Sequence, residues 1–176
     1  MLRGFIAGVT VTVAIVLLAG YAGIVTGTLV PANADAKPGK FEEWAAKTSL
    51  RASVRRAATP AAIPLAASDR NLLAGIKLYG ENCAVCHGTA GGVKSETKIA
   101  KGLYQKPPQL GGKHGVEDDP GGETFWKIKH GIRLTGMPAF GSTLSDAQIW
   151  QMSLFLKQMD RLPPVPERAW QAMRTP

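Results

Sequence analysis

From Gly4 to Val30 the chain runs for 27 residues without a charged side chain. At 1.5 Å rise per residue that makes a helix of roughly 40 Å, against a bilayer core of ~30 Å, so residues 1–30 are expected to form a transmembrane anchor. A short polar connector, Pro31 to Lys40, follows. Phe41 to Ala58 then lacks both Gly and Pro and is rich in Ala, Arg and Glu, which predicts a second helix near 41–58. Phe41, Trp44, Ala45 and Ala52 fall on one side of it, and Ala46, Leu50, Val54 and Ala57 on nearly the opposite side. Two weak apolar stripes suggest contacts on both sides; the alternative is a solvated basic helix near lipid head groups. Thr59 to Ala67 reads as a semi-rigid Pro/Ala linker, completing a juxtamembrane region over 31–67.

Beyond the linker the helical period returns. Ser68-Asp69 is an N-cap signal for Leu72, Leu73, Ile76 and Tyr79, with Gly80 as the expected stop. A short helix is expected from Glu123 to His130. Ser145 with Gln148 three later is a capping box ahead of the apolar stripe Ile149, Met152, Leu156 and Met159, and Pro163-Pro164 ends it. Nothing alternates like a strand, so the fold class is all-α: a small loop-rich helical domain over 68–162, followed by a Pro-rich C-terminal tail over 163–176.

Charge and composition refine this outline. The 176 residues carry 21 basic and 13 acidic side chains, net +8. Half of that excess lies between Lys37 and Ala58 and half in the domain from Ser68 onward, so basic character is a matter of local patches. Lys47, Arg51 and Arg55 stack at i, i+4, i+8 and are more comfortable facing an anionic surface such as membrane lipid. Along the apolar run Gly4, Gly8, Ala19, Gly23 and Gly27 share a face and include two GxxxG units, which suits a transmembrane helix partner. A cleaved signal peptide is the competing reading of this run, since small-residue sites surround Ala34, but signal cores usually span about 7–15 residues. Counting Lys37, Lys40 and Lys47 against Arg3 favours a cytoplasmic C-terminus.

The chain has two cysteines, which excludes a disulfide scaffold and a four-cysteine zinc site. They stand in Cys83-Ala84-Val85-Cys86-His87-Gly88. On a helical turn i, i+3 and i+4 share a face, so two thiols and an imidazole can meet one flat object. C-x-x-C-H is the attachment sequence for a c-type haem. A thioredoxin-like dithiol would follow a strand, and zinc would need further ligands from the poorly spaced His114 and His130. Haem attachment takes place on the outer side of the bacterial cytoplasmic membrane, which outranks the lysine count and fixes the orientation. For the sixth position on iron the candidates are His114, His130, Met137, Met152, Met159 and Met173. Met137 is favoured because Pro138 disfavours helix there and the flanking glycines let the chain pass close to a ring; ligation by His130 is the alternative.

These residues resemble the class I c-type cytochromes, particularly single-haem domains tethered to bacterial membranes, over about Ser68 to Leu162. The resemblance implies that Cys83 and Cys86 hold one covalent haem c, that His87 is the proximal ligand and Met137 the distal one. It also implies that the Pro108 carbonyl accepts a hydrogen bond from the His87 Nδ1 proton and that Leu110 packs on the ring. Gly75 and Tyr79 would cross the last helix against Trp150, Ser153 and Leu154. Trp126 or Arg133 would contact a propionate. The expected function is single-electron transfer by a carrier rather than an enzyme, as a subunit of a respiratory or dehydrogenase complex, with a free membrane-tethered shuttle or a haem enzyme or sensor as alternatives. Lys94, Lys98, Lys101, Lys106, Lys127, Lys129 and Arg133 would steer acidic redox-partner proteins. No nucleic-acid partner is expected. A thin core implies that the haem-free Cys83→Ala/Cys86→Ala chain is unfolded or molten.

Overall fold

The computed structural model describes residues 2–29, 32–59, 62–111 and 116–174, apart from the side chain of Glu117. It divides into two units, 1–36 and 37–176. The first consists of α1, Leu2–Val25, long and apolar enough to cross a bilayer. Gly27 lies beyond its end at φ +69°, a left-handed conformation that glycine adopts without strain, and the Leu29 amide donates back to the Gly23 carbonyl at 3.1 Å. Leu29 also covers Gly23. The Gly23/Gly27 pair is therefore the turn that closes the helix rather than a packing notch, while Gly4 and Gly8 stand open.

The second unit is all-helical among the described residues. Its elements are α2 (Lys40–Ala57), α3 (Asp69–Asn82), the single turn α4 (Ala84–His87), α5 (Lys98–Gly102), α6 (Gly121–His130), α7 (Asp146–Gln158) and α8 (Pro164–Ala172), with 3-10 turns at Gly92–Ser95 and Val116–Asp118. The caps read from sequence form. Ser68 Oγ accepts from the Asn71 amide, and Ser145 and Gln148 make the reciprocal capping box. α3 runs through Gly80 to Asn82, since Gly80 is covered by Met173 rather than used as a stop.

α3 crosses α7, and Gly75 is the point of closest approach. A Cβ there would lie 2.3 Å from the Gln151 carbonyl oxygen and 2.9 Å from Phe155 Cβ. The crossing partners are thus Gln151 and Phe155; of the residues expected, Ser153 and Leu154 are buried in α7 and Trp150 stacks on Phe125 of α6 at 4.2 Å. The core between these helices is built from Leu72, Ile76, Tyr79, Ile149, Met152 and Phe155.

Two segments are more integrated than their composition suggests. The expected tail forms α8, opened by Pro164, whose missing N–H costs nothing in a first turn. Its Trp170 is buried, edge-on to Tyr79 at 5.5 Å and to Phe155 at 5.1 Å. Helix α2 packs on α6 with Val54 fully covered and Leu50 half-buried. Ile63 of the linker lies over Gly121 at the start of α6. Of the two apolar stripes, the Leu50/Val54 side meets protein and the Phe41/Trp44 side is exposed.

Candidate functional site

The α3 N-terminal cap and apolar stripe place Cys83 at the end of α3, and the chain turns directly into α4. The His87 amide donates to the Cys83 carbonyl at 2.8 Å, closing one turn, so Cys83, Cys86 and His87 share a face as their spacing requires. Gly88 leaves this turn at φ +70°. A Cβ there would meet Gln109 Oε1 at 2.5 Å and Ser95 Oγ at 2.6 Å, so both backbone and space call for glycine. The buried Tyr79 hydroxyl donates to the Gly88 carbonyl at 2.8 Å.

A second segment, Pro107 to Leu110, is tied alongside. His87 Nδ1 lies 2.9 Å from the Pro108 carbonyl oxygen. A carbonyl can only accept, so Nδ1 carries the proton and Nε2 keeps its lone pair. Loss of solvation lowers the His87 pKa, against the opposing effect of the Pro108 bond, and so favours that neutral form. The Leu110 amide donates to the His87 carbonyl at 2.9 Å. Gln109, almost fully buried, donates through Nε2 to the Cys86 carbonyl at 2.9 Å and the Pro107 carbonyl at 3.3 Å. Nothing in the sequence marks Gln109; only its place beside Pro108 could have pointed to it.

The third segment follows α6. Gly131, at φ +65°, lets the chain fold back so tightly that a Cβ would lie 2.6 Å from the Pro138 carbonyl carbon. The returning strand of the loop is fastened by Phe140 N to Ile128 O at 3.2 Å and Gly141 N to Lys129 O at 2.9 Å. At the tip Leu134 takes a left-handed φ of 61° and is 89% exposed. Ile132 N donates to the Met137 carbonyl at 3.1 Å, and Thr135 Oγ1 accepts from the Met137 amide at 3.1 Å, setting the methionine backbone.

These segments enclose one cleft of about 700 Å³, counting its open mouth, lined by Cys83, Cys86, His87, Pro108 and Met137 together with apolar Leu103, Ile128, Ile132 and Phe140. Lys106 and Gln105 stand at it as well. Burial pushes the Cys83 thiol up to about 12, with Cys86 beside it adding to the effect, which suits a bonded sulfur better than the thiolate that dithiol exchange needs. No cluster of three or more His, Cys, Asp or Glu able to hold a metal ion occurs among the described residues. The apolar walls, two thiols on one face and a histidine with its outer nitrogen already engaged fit a covalent haem.

The remaining expected residues lie elsewhere. Leu110 is in the core beside the cleft, Trp126 stands against the exposed His130 at 5.0 Å, and Arg133 is exposed near the loop tip; none of the three lines the cleft. Met152 and Met159 are core residues, Met173 packs on Gly80, and His114 lies outside the described residues. Of the lysines, Lys127 is paired with Asp119 at 2.6 Å and Lys129 with Asp146 at 2.7 Å, which removes them from any free cationic rim. Lys94 of the 3-10 turn, Lys98 and Lys101 of α5, and Lys106 just before Pro107 are exposed.

Comparison with known proteins agrees with this geometry. Residues 70–156 match the family described as cytochrome C oxidase, cbb3-type, subunit III. No curated protein and no solved structure gives a significant match. The matched segment begins at α3 and ends in α7, so it contains all three segments of the cleft and both helices that brace them. The folded domain is a c-type cytochrome, and its prosthetic group is haem c.

Proposed function

We propose that this chain is a single-haem electron carrier held at the outer face of a bacterial cytoplasmic membrane by α1, working as a subunit of a respiratory or dehydrogenase complex. In this reading Cys83 and Cys86 would hold the haem through thioether bonds, and His87 and Met137 would hold its iron. The carrying observation is that His87, its Nδ1 engaged by Pro108, and Met137 line the same cleft. Haem iron, when bound, supplies reversible one-electron chemistry, and a thioether ligand raises its potential. The protein's part would be to hold the iron through His87 and Met137, which would leave substrate no place on it, and to enclose the ring with the apolar side chains of the cleft. The exposed lysines Lys101 and Lys106 support docking of an acidic redox partner. The description of the matched family, cytochrome C oxidase, cbb3-type, subunit III, supports a place in a respiratory complex.

Full-length protein purified in mild detergent tests this. Mass spectrometry should show covalent haem on both cysteines, and the oxidised protein should show the weak near-infrared sulfur-to-iron band, lost in Met137→Ala. Carbon monoxide binding to the reduced wild type as readily as to Met137→Ala would refute the closed iron and favour an enzyme or sensor. Co-purifying subunits are expected; a lone species of about 19 kDa would refute the subunit role, leaving a free shuttle.

A further inference from the structure

The charges of α2 are sorted around its circumference. Its carboxylates are engaged: Glu42 Oε1 accepts from the Tyr104 hydroxyl of the domain at 2.6 Å, and Glu43 pairs with Lys47 within the helix. At about 100° per residue, Lys40, Phe41, Trp44, Thr48, Arg51 and Arg55 fall within a single arc of roughly 100°, away from the covered Leu50/Val54 side, and all six are exposed. Phe41 and Trp44 are 77% and 61% exposed with ring centroids 5.6 Å apart. Lys40, Arg51 and Arg55 form no ion pair among the described residues.

We propose that this face of α2 lies on the surface of an anionic bilayer, with the two aromatic rings at head-group level and the cations on lipid phosphates, giving the haem domain a second attachment besides α1. The inference rests on reading α1 as a membrane anchor. Two features argue for lipid. First, an exposed face that mixes aromatic rings with unpaired cations, on a helix whose other side is covered by protein, has the chemistry of an interfacial helix. Second, residues 26–39 are all that separate the two helices, a reach of about 50 Å at full extension, so α2 is tethered at high effective concentration to the surface α1 enters. Docking of α2 on α6 then turns a lipid contact into an orientation of the whole domain.

The test uses haem-loaded full-length protein in nanodiscs. Both native cysteines are occupied by haem, so a Thr48→Cys variant takes a single nitroxide label on the proposed face. In discs containing phosphatidylglycerol the label should be shielded from a water-soluble relaxation agent, and in phosphatidylcholine discs it should be less so. Arg51→Gln/Arg55→Gln should abolish the shielding, at about fivefold in surface affinity per cation removed. A label equally open to water in both discs, on a chain that stays disc-bound, overturns the inference and leaves the anchor standing. A chain washed from the discs overturns the anchor reading itself. Shielding that appears only when a co-purified protein is retained assigns the face to that protein and refutes lipid.

Discussion

Replacing Trp170 by alanine removes the side chain that joins α8 to the crossing of α3 and α7. Trp170 is 3% exposed and meets both Tyr79 and Phe155 edge-on. Phe or Trp to Ala changes in cores cost about 3–5 kcal/mol, the transfer loss plus the cavity left behind, and each edge-to-face pair adds roughly 0.5–1.5 kcal/mol beyond buried area. Both neighbours are held in place, Tyr79 by its bond to Gly88 and Phe155 by the close approach at Gly75, so little collapse into the cavity is expected and the loss should be about 4 kcal/mol. For a folded unit of this size each kcal/mol lowers the melting temperature by about 3–5 °C, giving a fall of roughly 12–20 °C. Urea unfolding and thermal melts of the haem-loaded chain in detergent, followed by far-UV ellipticity, measure both. Val165→Ala, on the exposed side of the same helix, should stay within about 0.5 kcal/mol. A loss below about 1 kcal/mol in Trp170→Ala would refute the placement of α8 in the core and restore it to a surface tail.

Other consequences follow from the contacts around the cleft and α2. Gly75→Val drives a branched side chain into the Gln151 carbonyl and should cost at least about 3 kcal/mol by forcing α3 from α7, measured by urea unfolding; wild-type stability would contradict the crossing. Gln109→Leu strips the Cys86 and Pro107 carbonyls of their donor, at about 1–3 kcal/mol, and should shift the reduction potential because Pro108 loses its flanking support; an unchanged potential with unchanged stability would show that Gln109 does not position the His87 partner. Tyr104→Phe releases Glu42 and should raise hydrogen exchange in the first turns of α2 while leaving α3 and α7 as they were; identical exchange in α2 would mean that the helix is held by its α6 contact alone.

What could be read from sequence divides along the reach of the interactions. The starts of α3 and α7, the turn Cys83 to His87 and the helix before Gly131 depend on neighbours three or four residues away, and the caps that specify them form as written. The bond between His87 and Pro108 spans 21 positions and was implied by family resemblance, not by periodicity. α8 escaped because its two apolar anchors, Pro166 and Trp170, sit one turn apart in a segment whose prolines suggest a tail, and a single turn gives no period to detect. The seating of α2 escaped for a different reason. Which of two weak stripes is covered depends on α6 and Tyr104, both distant in the chain, and no local preference decides it.

The attachment turn has a consequence for how the protein is made. Cys83, Cys86 and His87 lie within five residues and are presented by one turn closed through the Cys83 carbonyl. Met137 comes 50 positions later, in a loop that depends on α6, Gly131 and the core beneath it. Covalent loading therefore needs only a short local segment, whereas Met137, the proposed sixth ligand, reaches the cleft only in the completed fold. Core variants such as Trp170→Ala should be fully loaded yet unstable, so haem content reports attachment while the sulfur-to-iron band reports folding, and a single sample separates the two.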